Sequence, residues 1–146
     1  MGTVIAVCVS GRKGEKKRDA GRALLRPGHG IEGDAHAGDW HRQVSLLADE
    51  SVDTMRGRGV ELGPGDFGEN LTVRGIDLKA LAIGQRLTVG AAVVLEITQI
   101  GKECHDGCAI KRQVGDCVMP REGVFARVIA GGEVRAGDAI SVAGDK

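Results

Sequence analysis

The chain has 146 residues, 42% hydrophobic and 27% charged, with 20 basic side chains against 20 acidic ones. That length fits one domain, residues 1–146, with material for a core, and the balanced charge offers no case for nucleic acid or a membrane as partner. One Trp, two Phe and no Tyr are too few for the stacking platforms on which single-stranded nucleic acid binds.

Thr3–Ser10 (TVIAVCVS) is rich in β-branched residues and predicts a strand, with Cys8 inside it as a small core hydrophobe. The same stretch is too short for a signal-peptide core or a membrane span, so a cytoplasmic chain is expected. Gly11–Arg22 (GRKGEKKRDAGR) is basic and lacks apolar periodicity; it reads either as an exposed loop or as a basic flap over an anionic ligand. Gly28–Gly38 (GHGIEGDAHAG) holds four glycines, two histidines and two acids, a string that suits a shaped loop whose backbone approaches something closely.

Arg42–Leu47 (RQVSLL) returns to strand character, and Asp49 is placed to cap a short helix with Val52 and Met55 on one face and Gly57 and Gly59 at its end. Gly65–Val73 (GDFGENLTV) is a polar glycine turn feeding a strand, in which Glu69 and Asn70 serve either the loop or a ligand. Gly84–Val89, Ala91–Ile100 and Gly137–Val142 are short strands opened or closed by glycines. Twenty-four glycines, well over twice the usual share of about 7%, fit this rhythm. The expected fold is mainly β, a partly closed barrel with two or three short helices.

Chemistry concentrates at Gly101-Lys102-Glu103-Cys104-His105-Asp106-Gly107-Cys108, directly after the longest β-prone run. Cys104 stands in a polar loop beside Lys102 and His105. Neighbouring cations favour a thiolate, which a sulfur carrier, a nucleophile and a soft metal ligand all require. Cys108 reads equally as packing or as a resolving thiol or second ligand, and Cys117, beside Val118 and Met119, reads as packing. A zinc set drawn from Cys104, His105, Cys108 and Cys117 has one C-x3-C and no second knuckle, which argues against a structural zinc module. His29, Asp34, His36, Asp39 and His41 crowd thirteen residues without a helical ligand spacing; a pocket wall, a metal site and a plain loop all remain open. Val124–Ile129 fits strand alternation and a helical face alike. Arg121 and Arg127 are suited to gripping a phosphate or carboxylate through a bidentate fork, or to ordinary surface pairing.

Together, Gly30–Gly38, Arg42–Leu47, Phe67–Thr72, Ile97–Cys104 and Met119–Val128 resemble, in order and over nearly the whole chain, the motifs of the MOSC family, named for the C-terminal domain of molybdenum cofactor sulfurase. The resemblance is to the short stand-alone subgroup and implies a strand-rich, barrel-like fold. It implies that Cys104 carries sulfur as a persulfide or ligates molybdenum, with Lys102, His105 and Cys108 in support. It also implies pocket roles for His36, Arg42, Asn70, Arg121 and Arg127. No desulfurase domain and no pyridoxal phosphate apparatus is identifiable, so sulfur would come from a cysteine desulfurase or another donor. The expected function is a sulfur-carrying module of molybdenum cofactor metabolism, sulfurtransferase-like in activity. Its partners would be the cofactor or a molybdopterin biosynthesis protein. The alternatives are a molybdenum-cofactor-binding, redox-capable module and a structural zinc domain.

Overall fold

The computed structural model describes residues 2–11, 17–56, 63, 65, 67, 69–101 and 123–143. Eleven strands run in chain order as β1 (Gly2–Val9), β2 (Arg18–Asp19), β3 (Arg22–Arg26), β4 (Gly30–Ile31), β5 (Val44–Ala48), β6 (Leu71–Arg74), β7 (Arg86–Val89), β8 (Val93–Ile100), β9 (Val124–Ala130), β10 (Gly132–Arg135) and β11 (Ala139–Val142). Among the described residues the helices are α1 (Asp49–Arg56) and a 3-10 turn at Leu78–Ala80.

Seven strands form a ring in the order β1–β11–β7–β8–β9–β5–β6 and back to β1. The ring closes where Gly2 and Thr3 pair with Ile140 and Ala139, so the barrel is fully closed where the sequence suggested partial closure. Closure removes the unpaired edges of an open sheet. Two-residue periodicity fills the interior: Val93, Leu95 and Ile97 of β8 and Val124, Ala126 and Val128 of β9 are buried inward, against Leu46, Leu71, Leu87 and Ile140. Val124–Ala130 is thus a strand; inward β-branched and small residues paired along β8 decide between the two patterns that its sequence fits.

One pairing in the ring is parallel, β5 with β6, which requires a crossover. That crossover begins with α1, which buries Val52 and starts at Asp49 itself. Arg74 on β6 holds it down through Asp49 at 2.6 Å and Asp53 at 2.8 Å. A second, three-stranded sheet sets β3 between β10 and β4. The sequence reading passed over β3 and β10: RALLR and GEVR bury only Leu25 and Val134 fully, too few apolar residues to signal a strand.

Among the described residues, two of the three register breaks in the ladder fall at Ile5 and Thr98. On β1 Ile5 is extra, between Val4 opposite Val73 and Ala6 opposite Thr72. On β8 Thr98 is extra, between Ile97 opposite Ala126 and Gln99 opposite Phe125. A bulge re-aims the side chains beyond it, and the second one turns Gln99 to the same outer face as Phe125.

Candidate functional site

Three segments meet outside the barrel wall: the end of β1 at Ser10, the loop between β4 and β5, and Lys17. Ala35 N–H donates to the Ser10 carbonyl at 2.8 Å, which ties the loop to β1. Gly30 lets the loop lie this close to β5: its φ is +120°, and a Cβ there would stand 2.6 Å from the Gln43 carbonyl oxygen. Gly65 does the same for Lys17, whose N–H donates to the Gly65 carbonyl at 2.8 Å and whose own carbonyl would lie 2.1 Å from a Cβ at Gly65.

Lys17 is therefore no flap residue. Both its side chain and that of Asp34 are 0% exposed, and Nζ lies 2.7 Å from Asp34 Oδ1. The remaining ammonium directions meet Ser10 Oγ at 3.1 Å and His36 Nδ1 at 3.0 Å. Asp34 also accepts from Ser10 N–H and His36 N–H, each at 3.1 Å. Burial alone would raise its pKa. The Lys17 hydrogen bond and charge, the Ser10 N–H and the Asn70 amide outweigh burial and hold the carboxyl below its ordinary value.

Asn70, expected at a ligand, is wholly buried. Its Oδ1 accepts from Ser45 N–H at 2.9 Å, and its Nδ2 donates to the Cys8 carbonyl at 3.1 Å. It joins β1 to β5 and bears on the site through Asp34. Glu69, next to it, is a second buried acid. Its Oε2 accepts from Thr72 Oγ1 at 2.7 Å, and Oε1 has no partner among the described residues. Burial pushes its pKa up, and the Thr72 hydroxyl and nearby loop N–H groups offset that only in part.

From His36 a row of rings and a guanidinium leads across the rim. The indole of Trp40 stacks on His36 at 6.3 Å and 5° between planes, with its N–H donated to the His36 carbonyl at 2.7 Å. Arg42 follows, 6.0 Å from the Trp40 ring centre and 5.2 Å from that of Phe125, within reach of a cation–π attraction. The Nε of Arg42 donates to Gln99 Oε1 at 3.0 Å, and His41 Nε2 stands 3.0 Å from the same oxygen. Gln99 Nε2 donates to the Gly101 carbonyl at 2.7 Å, which fixes the orientation of the amide. The bulge at Thr98 makes this arrangement possible.

Arg127 points outward on β9, half exposed, and its Nη2 pairs with Glu96 at 2.7 Å. With Trp40, His41, Gln43 and Thr98 it lines an open cavity of about 450 Å³. Another cavity, about 470 Å³, opens between α1 and residues 75–78 and includes none of the predicted site residues.

Of the predicted site residues, His36, Arg42 and Arg127 thus reach one side of the barrel, on or beside the loop between β4 and β5, with Asn70 beneath. Among the described residues no three of His, Cys, Asp or Glu gather to hold a metal; Asp34 and His36 are engaged with Lys17, and His41 with Gln99. Cys104, Lys102, His105, Cys108, Cys117 and Arg121 lie outside the described residues. Sequence reading missed Lys17, which a run of lysines disguised, and Gln43, whose Oε1 accepts from the Val128 N–H at 2.9 Å in place of a ladder partner.

Residues 33–141 match the family model of the MOSC domain. The chain belongs to the MOSC domain family, whose domain is associated with molybdenum cofactor sulfurase-like proteins. No curated protein matches the sequence significantly. Among solved structures, the YuaD protein of Bacillus subtilis is similar with a TM-score of 0.79 at 21% identity, covering 97% of this chain and 96% of that one. YiiM of Geobacillus stearothermophilus is similar at 0.72 and 18% identity, covering 97% of this chain and 75% of that one. YiiM of Escherichia coli follows at 0.67 and 20%, covering 100% and 71%. At these identities the likeness is one of fold. No helix among the described residues is long and apolar enough to cross a membrane.

Proposed function

We propose that this chain is a sulfur-carrying module of molybdenum cofactor metabolism, one domain over residues 1–146 working in the cytoplasm, with Cys104 as the carrier. The observation that supports the reading most is the rim geometry. Gly101 N–H donates to the Gly123 carbonyl at 2.6 Å, so the segment bearing Cys104 leaves and rejoins the barrel at one point, beside Gln99, Arg42 and Phe125. Cys104 follows Gly101 by three residues, a tether of at most about 11 Å.

In the proposed step the Cys104 thiolate attacks the outer sulfur of a donor persulfide, such as that of a cysteine desulfurase. A new S–S bond forms at Cys104, the donor's S–S bond breaks, and its electron pair leaves with the donor thiolate. An acceptor nucleophile later takes the outer sulfur and releases Cys104 as thiolate. Lys102 and His105 would stabilise that anion, and Cys108 would resolve the persulfide by attacking its inner sulfur, forming a Cys104–Cys108 disulfide and releasing hydrosulfide.

A second reading, binding of the molybdenum cofactor itself, is favoured by the rim cavity. Its volume lies in the range of small-molecule sites. Its lining includes the Trp40 indole and the Arg127 guanidinium, residue types suited to a planar heterocycle carrying an anionic group. His36, Arg42, Arg121 and Arg127 would hold that group and Cys104 would supply a soft ligand. When bound, the group would bring molybdenum redox chemistry.

Intact-mass spectrometry of protein purified without reductant, alongside Cys104→Ser and with molybdenum analysis, tests the proposal. A reducible increment of one sulfur atom, absent from Cys104→Ser, is expected. No adduct after incubation with a cysteine desulfurase and cysteine would overturn the carrier reading, and molybdenum that depends on Cys104 would establish the second one in its place.

A further inference from the structure

We infer that Lys17 is a positioning residue for His36: it holds the imidazole in the tautomer whose proton sits on Nε2, so that this nitrogen acts as a hydrogen-bond donor. The inference rests on the reading above that the His36 side of the barrel belongs to the ligand site.

A lysine ammonium has three N–H donors and no lone pair. Here its neighbours are Asp34 Oδ1 at 2.7 Å, Ser10 Oγ at 3.1 Å and His36 Nδ1 at 3.0 Å, three acceptors for three protons. An Nδ1–H would confront the ammonium at 3.0 Å, proton against proton. Among the described residues the other acceptor beside such a proton, Asp34 Oδ2, is 3.9 Å from Nδ1 and already accepts the His36 N–H at 3.1 Å. Nδ1 therefore carries its lone pair towards Lys17, and the neutral ring must carry its proton on Nε2.

The alternative is a proton passed from Lys17 to Asp34, leaving an amine that could accept from Nδ1–H. The carboxylate environment opposes it. Lys17, Ser10 N–H, His36 N–H and the Asn70 amide all act on Asp34, and donors converging on a carboxylate favour its charged form. The ring itself has little freedom to turn. Its backbone N–H is held by Asp34, its carbonyl accepts the Trp40 indole N–H, and its face lies parallel to that indole. The imidazole is held on its Nδ1 side and remains 20% exposed. This is the second-sphere logic by which a partner on one ring nitrogen sets the chemistry of the other.

The test reads the tautomer directly. Long-range 1H–15N correlation spectra of the protein without any sulfur donor, at a pH above the ordinary imidazole value of about 6.5, would be assigned with His36→Gln. The expected result is a lone-pair shift at Nδ1 and an N–H shift at Nε2 for His36. The neutralised pair Lys17→Met with Asp34→Asn, which leaves no buried charge alone, is expected to give averaged shifts from two tautomers. An Nδ1–H or averaged signal in the unmodified protein, or an unchanged pure Nε2–H signal in the double variant, would overturn the inference. If the double variant does not fold, 15Nζ-labelled lysine in the unmodified protein decides: Lys17 must report an ammonium, and an amine sinks the idea. These spectra involve no persulfide, so the inference and the carrier reading can fail separately.

Discussion

Asp34 and Glu69 are both carboxylic acids taken out of water, yet their pKa values are shifted in opposite directions. Asp34 has the Lys17 ammonium, two backbone N–H groups and the Asn70 amide about it, and its pKa is held down. Glu69 has the Thr72 hydroxyl on one oxygen, no cation among the described residues, and a pKa pushed up. The pair separates desolvation, which raises both, from partnership, which reverses the outcome only where a charge of opposite sign is buried alongside. The site-facing acid is kept as an anion and the wall-forming acid leans towards its neutral form.

The largest expected effect follows from stranding the anion. Lys17→Met removes the ammonium paired with Asp34 while leaving the carboxylate with 0% exposure. Breaking a buried pair from one side costs about 3–5 kcal/mol, so urea unfolding at neutral pH should show a loss of that order. Adding Asp34→Asn should recover much of it. A single variant that loses less than about 1 kcal/mol would mean that water reaches Asp34, and the contrast with Glu69 would collapse. Lowered pH gives the same reading without mutation. The stability that Asp34 contributes is present above its unfolded value of about 3.9 and is lost as pH falls through its lower folded value.

A smaller effect, of opposite sign, belongs to Glu69. Because its folded pKa is raised, the penalty is absent below the unfolded value of about 4.3. It grows as pH rises towards the folded value, by no more than about 1.4 kcal/mol per pH unit. Glu69→Gln keeps an oxygen for Thr72 and cannot ionise. It should match the unmodified protein in acid and exceed it increasingly towards neutrality in pH-dependent chemical denaturation. A stability difference that stays flat with pH would show that Glu69 is charged in the folded chain.

The contrast also marks how far the sequence could be read. Strands with several inward β-branched residues, such as β1, β8 and β11, were legible because two-residue alternation is written in the side chains. RALLR and GEVR were not, since each is a strand by hydrogen bonding to its partner and not by pattern. Asn70 was legible as a special residue but not as a joint between β1 and β5, because its partners are the backbone of Cys8 and the backbone and hydroxyl of Ser45. Lys17 was hidden for a stronger reason. In GEKKRD the lysines look alike, and it is the close approach of Lys17 to Gly65, a contact far along the chain, that accompanies its burial.

The smallest effect is expected at Arg127, and there the comparison extends from buried to exposed charge. Arg127 Nη2 lies 2.7 Å from Glu96 Oε1, a distance equal to that of Lys17 from Asp34, yet its side chain is 51% exposed. Glu96 also keeps Arg86, whose Nε is 3.3 Å from Oε2, so Arg127→Gln strands nothing. Equal distances should therefore give unequal consequences, because water already solvates the second pair. Arg127→Gln should leave the urea midpoint where it was. If Arg127 grips an anionic ligand over the rim cavity, the same variant should bind pyrophosphate more weakly, read from the shifts of the Trp40 indole N–H and of His41. A midpoint that falls as steeply as in Lys17→Met would instead make Arg127 a structural residue. Pyrophosphate shifts identical in both proteins would remove it from the ligand site.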